Sequence, residues 1–306
     1  MESNAQTNQP VSWCSQKPRP QFSTLNEVHT SRPWFKVYSA GNNVYAIVEP
    51  YNYQEVISYL ITGGEKALLF DTGMGLDSIS SLVKELTSLP VIVLNSHTHY
   101  DHIGGNAEFN NILAMQTPYT VHNAQNGWAH EVVKDEVTPA AFCIDKLPHA
   151  DTANYHIQPF KINRFITDGY NINLGGRQLE VIAVPGHAPD AIALFDKQNG
   201  YLFTGDTFYD GPIWLFAEGT DVQAYSKSIG KLASLAPRLK LLFPAHNTPV
   251  VQPGQLIKLQ DAFAQITSGK IKGVEAASVA GYSFARSALL FNVEGFTFLV
   301  RKDQLE

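Results

Sequence analysis

The chain of 306 residues has only two cysteines, Cys14 and Cys143, in neither a CxxC pair nor a metal-binding spacing. This excludes a disulfide-stapled framework and a thiolate metal site, and two free thiols are the expectation. Long apolar runs are missing as well: nothing approaches the roughly 20 residues of a membrane span. Charge is sparse at 16%, and the 22 Lys and Arg against 28 Asp and Glu leave a net charge of −6. With no Lys/Arg cluster, a nucleic-acid backbone is not an expected partner. The N-terminus lacks the basic-then-apolar pattern of a signal peptide, so the cytoplasm is the expected location, with an exported mature chain left open. No tandem repeat occurs at solenoid periods.

What is present is a rhythm of strands and helices behind a polar arm. Residues 1–32 are rich in Ser, Gln, Asn, Thr and Pro and read as a loosely draped arm. Residues 33–306 read as one domain. Apolar, β-branched runs at Val44–Val48, Glu55–Ile61, Ala67–Phe70 and Val91–Leu94 predict strands, and the spacing of Ile79, Leu82, Val83 and Leu86 predicts a helix. A second set follows: Leu179–Val184, a hairpin turning at Asn199–Gly200, Leu241–Phe243, and a closing hairpin around Glu294–Gly295. Asp221 to Leu235 and Gln255 to Ile266 read as amphipathic helices, with Asp221 as N-cap, and Asn106–Phe109 as the opening of another. Residues 115–165 break the rhythm, as a peripheral insertion or a lid.

The densest chemistry lies in His97-Thr98-His99-Tyr100-Asp101-His102, followed by Ile103-Gly104-Gly105. Imidazoles and a carboxylate at the end of a buried strand cost free energy unless hydrogen-bonded or bound to a metal. Three later strands also end in such residues: Pro185-Gly186-His187, Thr204-Gly205-Asp206 and Pro244-Ala245-His246. One His after a strand is ordinary; this recurrence points to a single converging site. Alternate side chains of an extended segment share a face, so His97 and His99 can serve one ion, completed by His187. Asp101, His102 and His246 can serve a second, and the Asp206 carboxylate can bridge both. Such N/O ligation suits two divalent ions, Zn above all, with Fe and Mn as alternatives.

HTHYDHIGG with downstream PGH, TGD and PAH, in that order, resembles the metallo-β-lactamase superfamily over residues 34 to 306. The resemblance implies an α/β fold, a four-layer αββα sandwich with a dinuclear site at one edge. It makes Asp71, in Phe70-Asp71-Thr72-Gly73, a structural residue behind the ligands. Resistance-type zinc β-lactamases usually carry Cys or Ser where Asp206 stands, and flavodiiron proteins usually carry Glu where His99 stands. The ligand set is similar to that of lactonases, glyoxalase II-like thioesterases and phosphotriesterase-like members. Tyr209, three residues after Asp206, has the spacing of a lactonase tyrosine that holds the substrate carbonyl. The stretch from Asn173 to Gly211 also resembles acyl-CoA hydrolases of animals.

The implied activity is hydrolysis of an acyl bond (lactone, thioester or ester) in a small molecule. A metal-bridging hydroxide attacks while Asp101 orients it and shuttles its proton. Tyr209 assists at the oxyanion. The alternatives are β-lactam or phosphotriester hydrolysis at the same site and, in a different class, a mononuclear iron sulfur dioxygenase. A homodimer is an open alternative to a monomer.

Overall fold

The computed structural model describes residues 14, 19–143 and 150–305. Eight strands form one sheet in sequence order: β1 (Asn26–Val28), β2 (Lys36–Gly41), β3 (Val44–Val48), β4 (Ile57–Thr62), β5 (Ala67–Phe70), β6 (Val91–Leu94), β7 (Ile112–Met115) and β8 (Arg164–Ile166). Neighbours are antiparallel up to β5 and parallel from β5 to β8. The antiparallel half is a meander, with short turns between β2 and β3 and between β4 and β5 and longer loops at the other two connections. The parallel half needs crossovers, and these contain α1 (Ile79–Leu86), α2 (Tyr100–Ile103), α3 (Pro118–Asn126) and α4 (His130–Val133).

The second sheet holds β9 (Asn171–Asn173), β10 (Gln178–Ala183), β11 (Ile192–Asp196) and β12 (Tyr201–Gly205). The chain then leaves it for β13 (Pro212–Leu215) and α5 (Val222–Ala233), and returns in β14 (Leu241–Pro244), parallel to β12. After α6 (Gly254–Thr267) come β15 (Val274–Glu275), β16 (Ala288–Val293) and β17 (Phe296–Arg301), which with β13 make a third sheet in the order β13-β17-β16-β15.

Strand alternation sorts residues into layers. Ile57, Tyr59 and Ile61 of β4 and Leu68 and Phe70 of β5 pack against Val181, Leu194, Phe203 and Phe243 of the second sheet. Leu60 and Leu69 point the other way, to the layer of α1, where Ile79, Leu82 and Val83 are buried. Ala193, Phe195 and Leu242 likewise face α5 and α6. The result is the expected αββα sandwich. A buried arginine joins its halves: Arg177 Nε donates to Asp196 Oδ2 at 2.8 Å, while its Nη1 lies 3.0 Å from both the Asn42 and Asn43 carbonyl oxygens.

Three expectations change. Cys14 and Cys143 are not free thiols but form a disulfide, with Cα atoms 5.4 Å apart across a sequence separation of 129. That span lies within the reach of such a bond, and sequence spacing alone says nothing of a contact made by the chain doubling back. The polar arm, where described, is docked: β1 pairs with β2, and Phe22 packs on Tyr38 with ring centroids 5.0 Å apart. Arg19 donates from Nε and Nη2 to the Glu55 carboxylate at 2.7 and 2.9 Å, and from Nη2 to Asn247 Oδ1 at 3.1 Å. The rest of the arm lies outside the described residues. Finally, Asn106–Glu108 make only a 3-10 turn, because Asn106 is buried and its amide bonds Asn95 Oδ1 at 2.8 Å.

Candidate metal centre

All seven side chains expected as ligands meet at one edge of the sandwich. β6 ends at Leu94, and the bent loop after it delivers His97 and His99 before the one-turn α2 carries Asp101 and His102. His187 follows β10 after Pro185-Gly186. Gly186 has φ +143°, and a Cβ there would lie 2.3 Å from the Tyr225 Cα, so only glycine fits this turn. Asp206 directly follows β12, and His246 stands two residues past β14. The His246 segment is paired with the chain before β4: Ile57 N donates to Ala245 O at 2.7 Å and Asn247 N to Glu55 O at 3.1 Å.

Two groups of donor atoms form. His97 Nε2 and His187 Nε2 lie 2.9 and 3.1 Å from His99 Nδ1. Asp101 Oδ2 lies 3.5 Å from His102 Nε2 and 3.6 Å from His246 Nε2. Asp206 stands between the groups, with Oδ2 3.5 Å from His187 Nε2 and Oδ1 3.4 and 3.1 Å from the Nε2 atoms of His102 and His246. The far sides of the rings are fixed too. His102 Nδ1 meets Asp71 Oδ2 at 3.0 Å, while His187 Nδ1 and His246 Nδ1 each lie 2.7 Å from a backbone carbonyl, those of Trp214 and Gln54. Such outer contacts set the tautomer, so that Nε2 offers its lone pair inward. Asp71 also accepts from Ser96 N at 2.6 Å, which matches its expected structural role.

The donor set fits divalent cations. Buried His102 Nε2 and Asp206 Oδ1 point into the cluster without a hydrogen-bond partner. Imidazole lone pairs facing one another at these distances repel unless a cation lies between them. Burial and the neighbouring imidazoles hold His97 and His99 well below the usual histidine range. Burial holds His187 down as well, so these three present neutral ligand nitrogens. Burial also pulls on His102, but Asp101, Asp206 and Asp71 outweigh it and hold it well above that range, so a cation binding there would displace a proton from His102. Burial pushes Asp206 upward, yet His246 and His102 keep its carboxyl well below the usual aspartate range.

Tyr209 lies beside the centre, its ring centroid 5.1 Å from that of His246. Its hydroxyl donates to Pro212 O at 2.6 Å and accepts from Trp214 N at 3.1 Å, closing its own loop. The 115–165 segment also reaches the site: Tyr119 and Trp128 set their rings 6.2 and 6.3 Å from that of His99. Sequence reasoning missed the Gln54 and Trp214 carbonyls, which any residue type can supply. It also missed Asp190, whose only signal was a carboxylate three residues after His187.

A sandwich that gathers histidines and aspartates from both halves at one edge is the architecture of a metallohydrolase. The model of the metallo-beta-lactamase superfamily matches residues 55–266, and the chain belongs to that superfamily, as an enzyme of its hydrolase class. It is similar to the acyl-coenzyme A thioesterase MBLAC2 of Gallus gallus, 26% identical over 232 residues that cover 70% of this chain and 80% of that protein. It is also similar to a hydroxyacylglutathione hydrolase of Idiomarina loihiensis, 27% identical over 204 residues, with 67% and 65% covered. Among solved structures, the MIM-2 metallo-beta-lactamase matches with a TM-score of 0.54 at 21% identity, over 77% of this chain and 91% of that one, a likeness of fold.

Proposed function

We propose that this chain is a dinuclear metal-dependent thioesterase, with lactones and other activated esters as further substrates. The observation that carries the proposal is the position of Asp206, whose Oδ1 lies beside His102 and His246 while its Oδ2 reaches His187 as well as His246. That is where a group shared by two ions has to stand. The thioester is favoured by the names of the relatives, one an acyl-coenzyme A thioesterase and one a hydroxyacylglutathione hydrolase. In this reading His97, His99 and His187 hold one ion, Asp101, His102 and His246 hold the other, and Asp206 is common to both. Zinc suits the set best, with Fe and Mn as alternatives. Bound together, the two ions supply a hydroxide nucleophile near neutral pH and a Lewis acid for the acyl carbonyl.

The chain's own groups do the rest. Asp101 orients the nucleophile, accepts its proton and passes it to the leaving thiol. Tyr209 holds the 209–214 loop against His246, since its O–H is donated to Pro212. Tyr119 and Trp128, within the 115–165 segment, form the rim on the His99 side, as part of a single working unit over 33–306. The Cys14–Cys143 disulfide favours the exported alternative over the cytoplasm, because structural disulfides persist in oxidising compartments.

The test is metal analysis combined with a panel of thioesters, lactones, β-lactams and phosphotriesters. Two ions per chain and thioester turnover are expected, with Asp101→Asn lowering kcat by about 10²- to 10⁴-fold. One iron per chain with persulfide-dependent oxygen uptake, or full turnover in His97→Ala, overturns the proposal.

A further inference from the structure

Thr98 lies between two of the ligands and is itself 3% exposed. Its hydroxyl donates to Asp190 Oδ2 at 2.6 Å, and the Thr120 hydroxyl of α3 donates to the same oxygen at 3.0 Å. From the same helix Asn123 Nδ2 donates to Thr98 O at 3.1 Å, and Trp128 Nε1 adds a bond to that carbonyl at 3.2 Å. Asp190, also 3% exposed, stands three residues after His187 and just before β11, whose first residue donates from Ile192 N to Ser96 O at 2.7 Å. One carboxylate thus ties together the His97–His99 segment, the His187 loop and the helix that covers them. Burying this carboxylate costs free energy that the two threonine bonds to Oδ2 offset, and its Oδ1 is left without a hydrogen-bond partner.

We propose that Asp190 is the positioning residue of the three-imidazole half of the centre. It sets the distance between His187 and the His97/His99 pair through Thr98, and it locks α3 over them through Thr120. His102 and His246 have their own supports in Asp71 and the Gln54 carbonyl, so the influence of Asp190 is confined to the other half. This rests on the two-ion reading above.

The experiment titrates the metal-free full chain with cobalt(II), followed by its d–d absorption and by chelator competition, alongside the denaturation midpoint of each metal-free variant. Wild type is expected to fill in two distinguishable steps. Asp190→Ala weakens one step by about 10- to 100-fold and leaves the other unchanged, the usual scale for removing a group behind a ligand. Asp190→Asn, which keeps an acceptor for the two threonines, restores most of that loss. Thr98→Val, which removes the hydroxyl that donates to Asp190 and accepts from Asn123 Nδ2 but leaves the Asn123 bond to the Thr98 carbonyl, weakens the same step and decides the matter if Asp190→Ala does not fold. Wild-type affinity in Asp190→Ala or Thr98→Val, or equal weakening of both steps, overturns the role. A wild-type chain that takes up no cobalt overturns the centre itself and this role with it.

Discussion

Glu49 is 2% exposed and accepts hydrogen bonds from Trp34 Nε1 at 2.7 Å and Met74 N at 2.8 Å. Burial pushes its carboxyl up to about 7 from an ordinary 4.5, against the pull of those two donors. A folded-state value above the unfolded one means that the folded chain holds the extra proton between those limits. Its contribution to stability is therefore full below pH 4.5 and is lost as pH rises through about 7, by about 3 kcal/mol at most. Glu49→Gln removes this titration, so the stability of the variant relative to wild type is expected to improve between pH 5 and pH 8. Urea denaturation at the two pH values checks it, and a constant difference counts against the assignment. At this scale the seven clustered side chains were legible because a buried imidazole or carboxylate needs a reason to be there. The Gln54 and Trp214 carbonyls were not, since every residue carries one. The partner of Glu49, a backbone N–H of a distant turn, was equally silent.

Among the elements, α5 does the most for the site. Tyr225 donates its hydroxyl to Thr207 O at 2.8 Å, Ser228 bonds Pro185 O at 2.7 Å, and Asp221 N reaches Gly186 O at 2.8 Å. One helix thereby steadies the loops of both His187 and Asp206. Its own start rests on Asp221, whose side chain accepts from Ala224 N at 2.8 Å. Asp221→Ala is expected to cost about 1 kcal/mol and Asp221→Asn much less, read from urea midpoints. The helix and its cap were legible from periodicity and one residue type. The strands were legible as short apolar runs, since β4 and β5 are buried on both faces. The parallel pairing of β13 with β17 was not. It joins segments far apart in sequence, and the apolar run Ile213–Leu215 reads the same whichever strand it meets. The 106–109 helix failed because the buried side chain of Asn106 competes with the continuing turn.

For the whole molecule, the fold class followed from the family resemblance, whereas the covalent link between arm and insertion did not. Closing so long a loop restricts the unfolded chain, and the bond is expected to contribute about 2–5 kcal/mol. A reductant should lower the denaturation midpoint of wild type and leave that of the Cys14→Ser, Cys143→Ser double variant unmoved. Equal midpoints for wild type with and without reductant would show that the bond adds nothing.

The disulfide also divides the chain topologically. Residues 14 to 143 form a closed covalent circle that includes His97, His99, Asp101 and His102, while His187, Asp206 and His246 hang from it on an open tail. A protease that nicks the exposed rim near Glu131 cuts the circle without releasing either fragment. One that cuts between residues 150 and 187 parts the two sets of clustered side chains completely. The first set is thus protected by connectivity as well as by packing, and the second by packing alone.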